Sequence, residues 1–266
     1  MLIPLTAVAA APTEIPAIVT AEPALREVTL TGFTRARARL PLVSESQGRV
    51  LEVGPDIGEP IPENGIFSRI DDVFIRLELD EIAVEQGRLR AQVDYDEREA
   101  ARYRELARNN NAAAAQLDTA EQTLRNNRDA LRMLAVKRRV LEERQRRTRV
   151  IAPPGWRVTE RAVEPGQWVS VGERLGEAAD FAPVIVPFAL TPEELAVLNT
   201  QIVPSQLRLE LPDLEETADV SIYRTHPGFD PETRKIAVDL VFDGALNPGR
   251  GGLRTVLRLP MPERSG

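Results

Sequence analysis

Two neighbouring stretches of the chain repeat apolar residues at alternating steps of three and four positions. In the second stretch, most repeated positions are apolar, and the residues between them are mostly Arg, Glu, Gln and Asn. This pattern is typical of a helix that packs one stripe against a partner helix and leaves its other faces in water. We call the repeated positions the seam, and in this stretch they are Leu117, Ala120, Leu124, Asn127, Leu131, Leu134, Arg138, Leu141, Gln145 and Thr148.

The first stretch carries a weaker seam, and a polar run separates the two stretches. Asn109, Asn110 and Asn111 favour a turn over a helix interior. Two helices joined by a short polar turn pack antiparallel. The sequence therefore predicts an antiparallel α-helical coiled-coil hairpin over residues 77–148. The first seam consists of Ile82, Leu89, Val93, Ala100, Tyr103 and Ala107.

Short apolar runs broken by Gly and Pro flank this hairpin on both sides and predict strands with frequent turns. Residues 41–76 and 149–180 share a weak internal repeat. Because a hairpin returns the chain to its starting point, these two halves can close into one β-sandwich. The alternating residues between 26 and 40 predict a strand, and the strand pattern of residues 181–262 predicts a small β-barrel. Within the barrel segment, Thr191 is placed to cap a short helix.

Composition and charge exclude several classes of protein. The net charge of −7 disfavours binding to bulk nucleic acid. The chain has no cysteine, which excludes disulfides and thiol chemistry. No segment reaches the roughly 18 apolar residues that span a bilayer. Residues 1–12 are small and apolar, and they are interpreted equally well as the remnant of an export signal and as a disordered terminus.

Candidate chemistry is sparse. His226 is the one histidine, and it precedes Pro227 and Gly228 in a predicted loop. No Cys/His cluster suggests zinc, and the glycines near 249–252 lie between strands rather than before a helix. We therefore expect no enzyme activity, no cofactor and no metal site.

The order of β-half, helical hairpin, β-half and barrel resembles the periplasmic adaptor proteins, or membrane fusion proteins, of tripartite efflux pumps and type I secretion systems. Three runs carry the resemblance, in the order in which the family has them. They are Ile151-Ala152-Pro153 through Val163-Glu164-Pro165-Gly166 to Leu175, Ala179 to Val186, and Phe229-Asp230-Pro231-Glu232-Thr233-Arg234-Lys235 to Val238.

The resemblance implies an elongated α+β protein of several domains. Residues 26–40 and 181–262 would form the β-barrel, residues 41–76 and 149–180 a lipoyl-like sandwich, and residues 77–148 the inserted hairpin. In residues 1–25, the stretch from Ile15 to Val19 would be a strand of a membrane-proximal domain.

The resemblance also implies a non-enzymatic subunit of the Gram-negative periplasm, associated with the inner membrane. It would bridge an inner-membrane transporter, with the RND type favoured, and an outer-membrane channel, and support export of small molecules. Self-association as a hexamer in the assembled pump is expected. The alternatives are an adaptor of a type I (ABC) secretion system and a coiled-coil scaffold without a transport role. A lipoate or biotin carrier is disfavoured because Lys137 and Lys235 both lie outside the lipoyl-like halves.

Efflux adaptors engage the channel through the end of the hairpin, and four positions here correspond to that contact. Arg102 and Leu106 match the family's Arg and Leu, and Asp118 matches an acidic position that often follows. Ala113 stands where the family has Ser. Because Tyr103 and Ala107 continue the seam, Arg102 and Leu106 should be at least partly exposed.

Overall fold

The computed structural model describes residues 26–109, 114–200, 207–242 and 249–261, and it combines helices and strands as predicted. The predicted strand from Ile15 to Val19 and the site position Ala113 lie outside the described residues. The elements are β1 (Arg26–Phe33), β2 (Arg35–Val43), β3 (Gly48–Val53), β4 (Ile66–Ile70), α1 (Val73–Asn109), α2 (Ala114–Arg146), β5 (Arg149–Ile151), β6 (Arg157–Arg161), β7 (Trp168–Val169), β8 (Arg174–Leu190), α3 (Pro192–Thr200), β9 (Arg208–Leu211), β10 (Glu216–Phe229), β11 (Ile236–Phe242) and β12 (Arg254–Met261).

The larger sheet curls back on itself, because the strands at its two ends are consecutive in the chain. Its strand order is β1-β12-β9-β10-β11-β8-β2. Thr34 lies between β1 and β2, where its hydroxyl donates to the Arg250 carbonyl (2.9 Å) and accepts from the Leu253 amide (3.0 Å). The alternation of apolar and polar residues along these strands fills the interior with side chains such as Val186, Leu209 and Leu257.

A second, four-stranded sheet has the order β5-β4-β3-β7, and it packs over its own apolar core. Phe67 and Leu175 lie at the centre of this core and are fully buried. Gly176 is required beside them, because a Cβ there would lie 2.4 Å from the Glu160 carbonyl oxygen of β6. The two β-halves that flank the helices therefore contribute to one core.

One long strand, β8, runs through both cores. In β8, Leu175 and Ala178 belong to the smaller core, and Val184 and Val186 to the larger one. Strand β2 pairs with β8 from Arg174 to Ile185, with a register shift between Ala36 and Ala38. The expected boundaries at 40/41 and 180/181 thus fall inside continuous strands. The division into domains stays a prediction.

Helix α1 begins at Val73, four residues before the predicted start at Leu77. The Asp71 carboxylate accepts a hydrogen bond from the Val73 amide (2.9 Å). Asp72 accepts one from the Gln145 side chain at the end of α2 (2.8 Å). A carboxylate at the start of a helix can accept a hydrogen bond from a free backbone amide, and the positive end of the helix dipole stabilises its negative charge. Both effects explain why the helix begins at Val73 rather than at Leu77.

Two local structures beside the strands of the larger sheet are held by hydrogen bonds. Thr191 and Glu194 form a reciprocal capping box at the start of α3, as the sequence predicted. Between β10 and β11, Asp230 accepts hydrogen bonds from the Thr233 amide and hydroxyl and from the Glu232 amide. These bonds, with the Thr233 amide first, lower the pKa of Asp230.

Helices α1 and α2 lie side by side and antiparallel. Arg104 pairs with Glu121 (2.7 Å) and Glu97 with Arg128 (2.6 Å), so residue numbers rise on one helix as they fall on the other. The α2 seam is buried or half-buried as predicted, except for Arg138, which is exposed and pairs with Glu142 on its own helix. The observed α1 seam is Ile75, Leu79, Ile82, Gln86, Leu89, Val93, Asp96, Ala100, Tyr103 and Ala107.

A buried carboxylate interrupts this seam. Asp96 is 3% exposed and accepts hydrogen bonds from the Asn127 side chain across the helix pair (2.6 Å) and from Gln92 on its own helix (2.8 Å). A polar pair inside an apolar seam fixes which residues face each other, because any slip would leave it unpaired.

We expect Asp96→Ala to destabilise the helix pair by about 1–3 kcal/mol, the cost of leaving the Asn127 amide without its partner. The double replacement Asp96→Leu with Asn127→Leu should recover most of the loss, because it removes both polar groups. Denaturant unfolding followed by helical circular dichroism measures both effects. Glu97→Ala is the matched control, since the exposed pair of Glu97 with Arg128 is worth about 0–1 kcal/mol. Equal costs for Asp96→Ala and Glu97→Ala would contradict the expectation.

Candidate functional site

The candidate site is the far end of the two helices, where α1 ends at Asn109 and α2 begins at Ala114. Arg102 is exposed there, and two neighbours hold its guanidinium. It pairs with Glu99 one turn earlier (3.3 Å) and lies 5.3 Å from the centre of the Tyr103 ring. The side chain is therefore presented to solvent in a restrained position.

Leu106 lies one turn beyond Arg102 and is 49% exposed. Tyr103 and Ala107 are half-buried in the seam on either side of it, so the helix turns Leu106 toward the flank. Asp118 is exposed on α2, directly after the half-buried Leu117. Successive residues on a helix lie about 100° apart, which separates Asp118 from the seam.

A shallow groove of about 350 Å³ adjoins these residues. Its rim is polar, with Gln116, Thr119 and Thr123 on α2 facing Glu99 and Tyr103 on α1. Sequence reasoning did not identify this groove. The signal for it is the row of small and polar residues that flank the α2 seam.

An interhelical ion pair lies beside the seam near the same end. Arg104 donates to Glu121 at 2.7 Å, with both side chains partly exposed. This pair joins α1 to α2 close to Leu106 and restrains the end of the helices that carries the candidate residues.

The histidine, the possible metal-ligand groups and the helices each bear on the requirements of a chemical site or a membrane span. His226 is exposed on β10. Within the described ranges, no group of three or more His, Cys, Asp or Glu residues is arranged to hold a metal ion. None of the helices in those ranges combines the length and the apolar character needed to cross a membrane.

No protein-family model and no curated protein sequence matches the chain. Solved structures do match it. MacA from Actinobacillus actinomycetemcomitans has 12% identity and a TM-score of 0.71, and the match covers 90% of this chain and 79% of that chain. The membrane fusion protein Spr0693 from Streptococcus pneumoniae R6 has 14% identity and a TM-score of 0.68, with 88% of this chain and 100% of that chain covered.

The chain has the membrane fusion protein fold. A third similar structure is a MacA–MexA chimera that contains the α-hairpin domain of Pseudomonas aeruginosa MexA. It has 13% identity and a TM-score of 0.55, and the match covers 90% of this chain and 83% of that chain. Because each match spans most of both chains, the membrane fusion protein fold accounts for the helices and both sheets together.

Proposed function

We propose that this protein is a non-enzymatic adaptor of an export system in the cell envelope. It would join an inner-membrane transporter to an outer-membrane channel from the periplasm and support export of small molecules. The observation that carries the proposal is the membrane fusion protein fold, which this chain shares with MacA over 90% of this chain and 79% of that one at a TM-score of 0.71.

The arrangement of elements suits such a role. Helix α1 has 37 residues and α2 has 33, and at about 1.5 Å per residue the pair reaches on the order of 50 Å. We assign the pair as a coiled-coil hairpin, the four-stranded sheet with β6 as a lipoyl-like domain, and the curled sheet as a β-barrel. A long hairpin attached to a small β-module can span a long distance without a large hydrophobic core.

The end of the hairpin is the proposed channel contact. An exposed leucine beside a restrained arginine provides an apolar contact and a charge-assisted hydrogen bond to a carbonyl or carboxylate. Arg102 and Leu106 would supply these, and Asp118 and Ala113 would line the same contact. Ala113 lacks the hydroxyl of the family's Ser, which suggests a channel with a different partner group at that position.

The transporter would be of the RND type, with an ABC transporter of a type I system as the second candidate. A scaffold protein without a transport role is the third candidate function, since a hairpin alone would be sufficient for that role. A scaffold gives no reason for the two β-cores that flank the hairpin. A hexamer is proposed for the assembled pump, and the isolated protein is expected to be a monomer or a weak oligomer.

Purification of the tagged protein from envelope membranes tests the proposal. We expect an inner-membrane transporter and an outer-membrane channel among the co-purified proteins, and the class of transporter separates the RND from the ABC alternative. Arg102→Asp is the matched control, because it should lose the channel and keep the transporter. Recovery of soluble cytoplasmic partners alone would refute the adaptor role.

A further inference from the structure

A groove, which we call the base groove, lies between α1 and α2 in the half of the hairpin nearest the β-sheets. Its volume is about 610 Å³, within the range of roughly 300–1,000 Å³ that is usual for small-molecule sites. Three apolar side chains form its floor: Leu141 is buried, and Ile82 and Leu134 are half-buried. Val136 and Val140 are half exposed along its α2 edge. The base groove therefore offers an apolar surface that solvent can reach.

The seam is less completely covered at the base groove than near the tip of the hairpin. Toward the tip, the seam forms a cluster of buried residues, which are Val93, Ala100, Ala120 and Leu124. Ile82 and Leu134 also occupy seam positions, but among the described residues they join none of the apolar clusters. A molecule with an apolar body would cover these two side chains, and burial of apolar surface favours its binding.

Opposite charges stand on the two walls of the base groove without meeting. Glu78 and Glu81 line it on α1, and Lys137 and Arg144 line it on α2. All four side chains are exposed, and in the part of the chain that the structure describes none of them makes an ion pair. Glu85 lines the groove too, but it is held by an ion pair with the next turn of α1. Each wall therefore keeps two charges of one sign available to a ligand.

This arrangement of charges discriminates between kinds of ligand. A cation attracted by the acidic wall is repelled by the basic wall, and the reverse holds for an anion. A molecule that carries both charges can place each group beside the wall of opposite sign. Its apolar body would then lie on the floor of the groove. The base groove therefore matches a zwitterionic amphiphile, a molecule with an apolar body and two groups of opposite charge.

We propose that the base groove binds a zwitterionic amphiphile. The cationic group lies at Glu78 and Glu81, and the anionic group accepts charge-assisted hydrogen bonds from Lys137 and Arg144. The apolar body covers the half-buried part of the seam. This site goes beyond the proposed adaptor role and does not rest on it, because the occupant is a small molecule rather than a transporter or a channel.

Calorimetric titration of the purified chain with four probes that share one alkyl chain tests the proposal. Dodecylphosphocholine is the zwitterion, dodecyltrimethylammonium the cation, dodecanoate the anion and dodecyl maltoside the neutral probe, each below its micelle-forming concentration. We expect dodecylphosphocholine to bind one site per chain, about tenfold more tightly than each of the others. Equal affinities would mean that the alkyl chain alone is recognised. That result would overturn the proposal, and so would the absence of binding.

Charge variants test the two walls. Lys137→Glu with Arg144→Glu should weaken dodecylphosphocholine binding about tenfold and strengthen dodecyltrimethylammonium binding by a similar factor, because both walls are then acidic. Adding Glu78→Lys and Glu81→Lys should restore the preference for the zwitterion, which would then bind in the reverse direction. Arg90→Glu is the matched control, because Arg90 is exposed on α1 outside the groove, and it should leave every affinity unchanged. Equal effects of the control and the groove variants would refute the site.

Methyl NMR spectra locate the bound probe. Dodecylphosphocholine should shift the methyl signals of Ile82, Leu134 and Leu141 and leave those of Val93 and Leu124 in place. Shifts confined to the tip half would overturn the proposal. A dimer whose formation excludes the probe would do the same, since a second copy of the chain would then cover the groove. Failure of the adaptor role would instead appear as loss of membrane partners, with the titrations unaffected.

Discussion

Export should be abolished when Arg102 is changed to Asp and Leu106 to Ser, while the protein stays folded. The first change replaces the restrained guanidinium with a charge of the opposite sign, and the second removes the exposed apolar contact. Both side chains lie outside the cores, so the melting temperature should hardly change; exposed substitutions usually alter stability by less than about 0.5 kcal/mol. Export assays in cells that lack the native protein, together with thermal melts, measure both outcomes.

Arg98→Asp is the matched control for the tip variants. Arg98 is exposed on the same helix one turn before Arg102, so its reversal changes the net charge equally and leaves the tip unchanged. Export should survive it. If Leu106→Ser lowers the free energy of unfolding by more than about 2 kcal/mol, as expected for a buried leucine, then Leu106 packs in the seam and the tip assignment is wrong.

The periodic part of the hairpin was predictable from sequence because a heptad seam is a local pattern. The burial of Leu89, Val93 and Leu124 follows from spacing alone. Gln86 and Asp96 were missed, although they complete the spacing, because polar residues do not count as apolar positions. Asp96 is tolerated there because Gln92 on its own helix and Asn127, 31 residues away in the sequence, both donate hydrogen bonds to its carboxylate.

The continuity of β2 and β8 across the expected boundaries could not be predicted, because it depends on pairing between distant segments. Pro183 and Pro187 suggest a break in β8, since proline lacks the amide that a ladder needs. The register shift in β2 places Ala36 opposite Val184 and Ala38 opposite Asp180, which accommodates residues 181–183. The β2 residues that accommodate this part of β8 lie about 145 positions earlier in the chain, so no local sequence pattern could reveal the match.

In the candidate site, too, some features follow from local spacing and others require the structure. Exposure of Arg102 and Leu106 was expected from the seam, since neither position belongs to it. The restraint of Arg102 by Glu99 and Tyr103 is also local, with spacings of three and one, but it needs side-chain geometry to be recognised.

Removal of the whole hairpin should leave a β protein that folds cooperatively and does not support export. The Ile70 amide donates to the Thr148 carbonyl at 2.8 Å, so the ends of β4 and β5 already lie side by side. Replacing residues 71–147 with Asn-Gly would close them with a two-residue turn suited to antiparallel strands. The seam residues belong to neither β-core, and Phe67 and Leu175 keep all their packing partners.

Calorimetry and near-ultraviolet circular dichroism of the shortened protein measure this outcome, with the export assay alongside. We expect a cooperative transition and a fixed aromatic environment, because the two β-halves form one core without help from the helices. Adding Phe67→Ala to the shortened protein is the control for that core, and it should lower the free energy of unfolding by about 3–5 kcal/mol. A shortened protein without a cooperative transition would show that the helices hold the β-halves together, and the hairpin would then be part of the β-module's fold rather than an insertion into it.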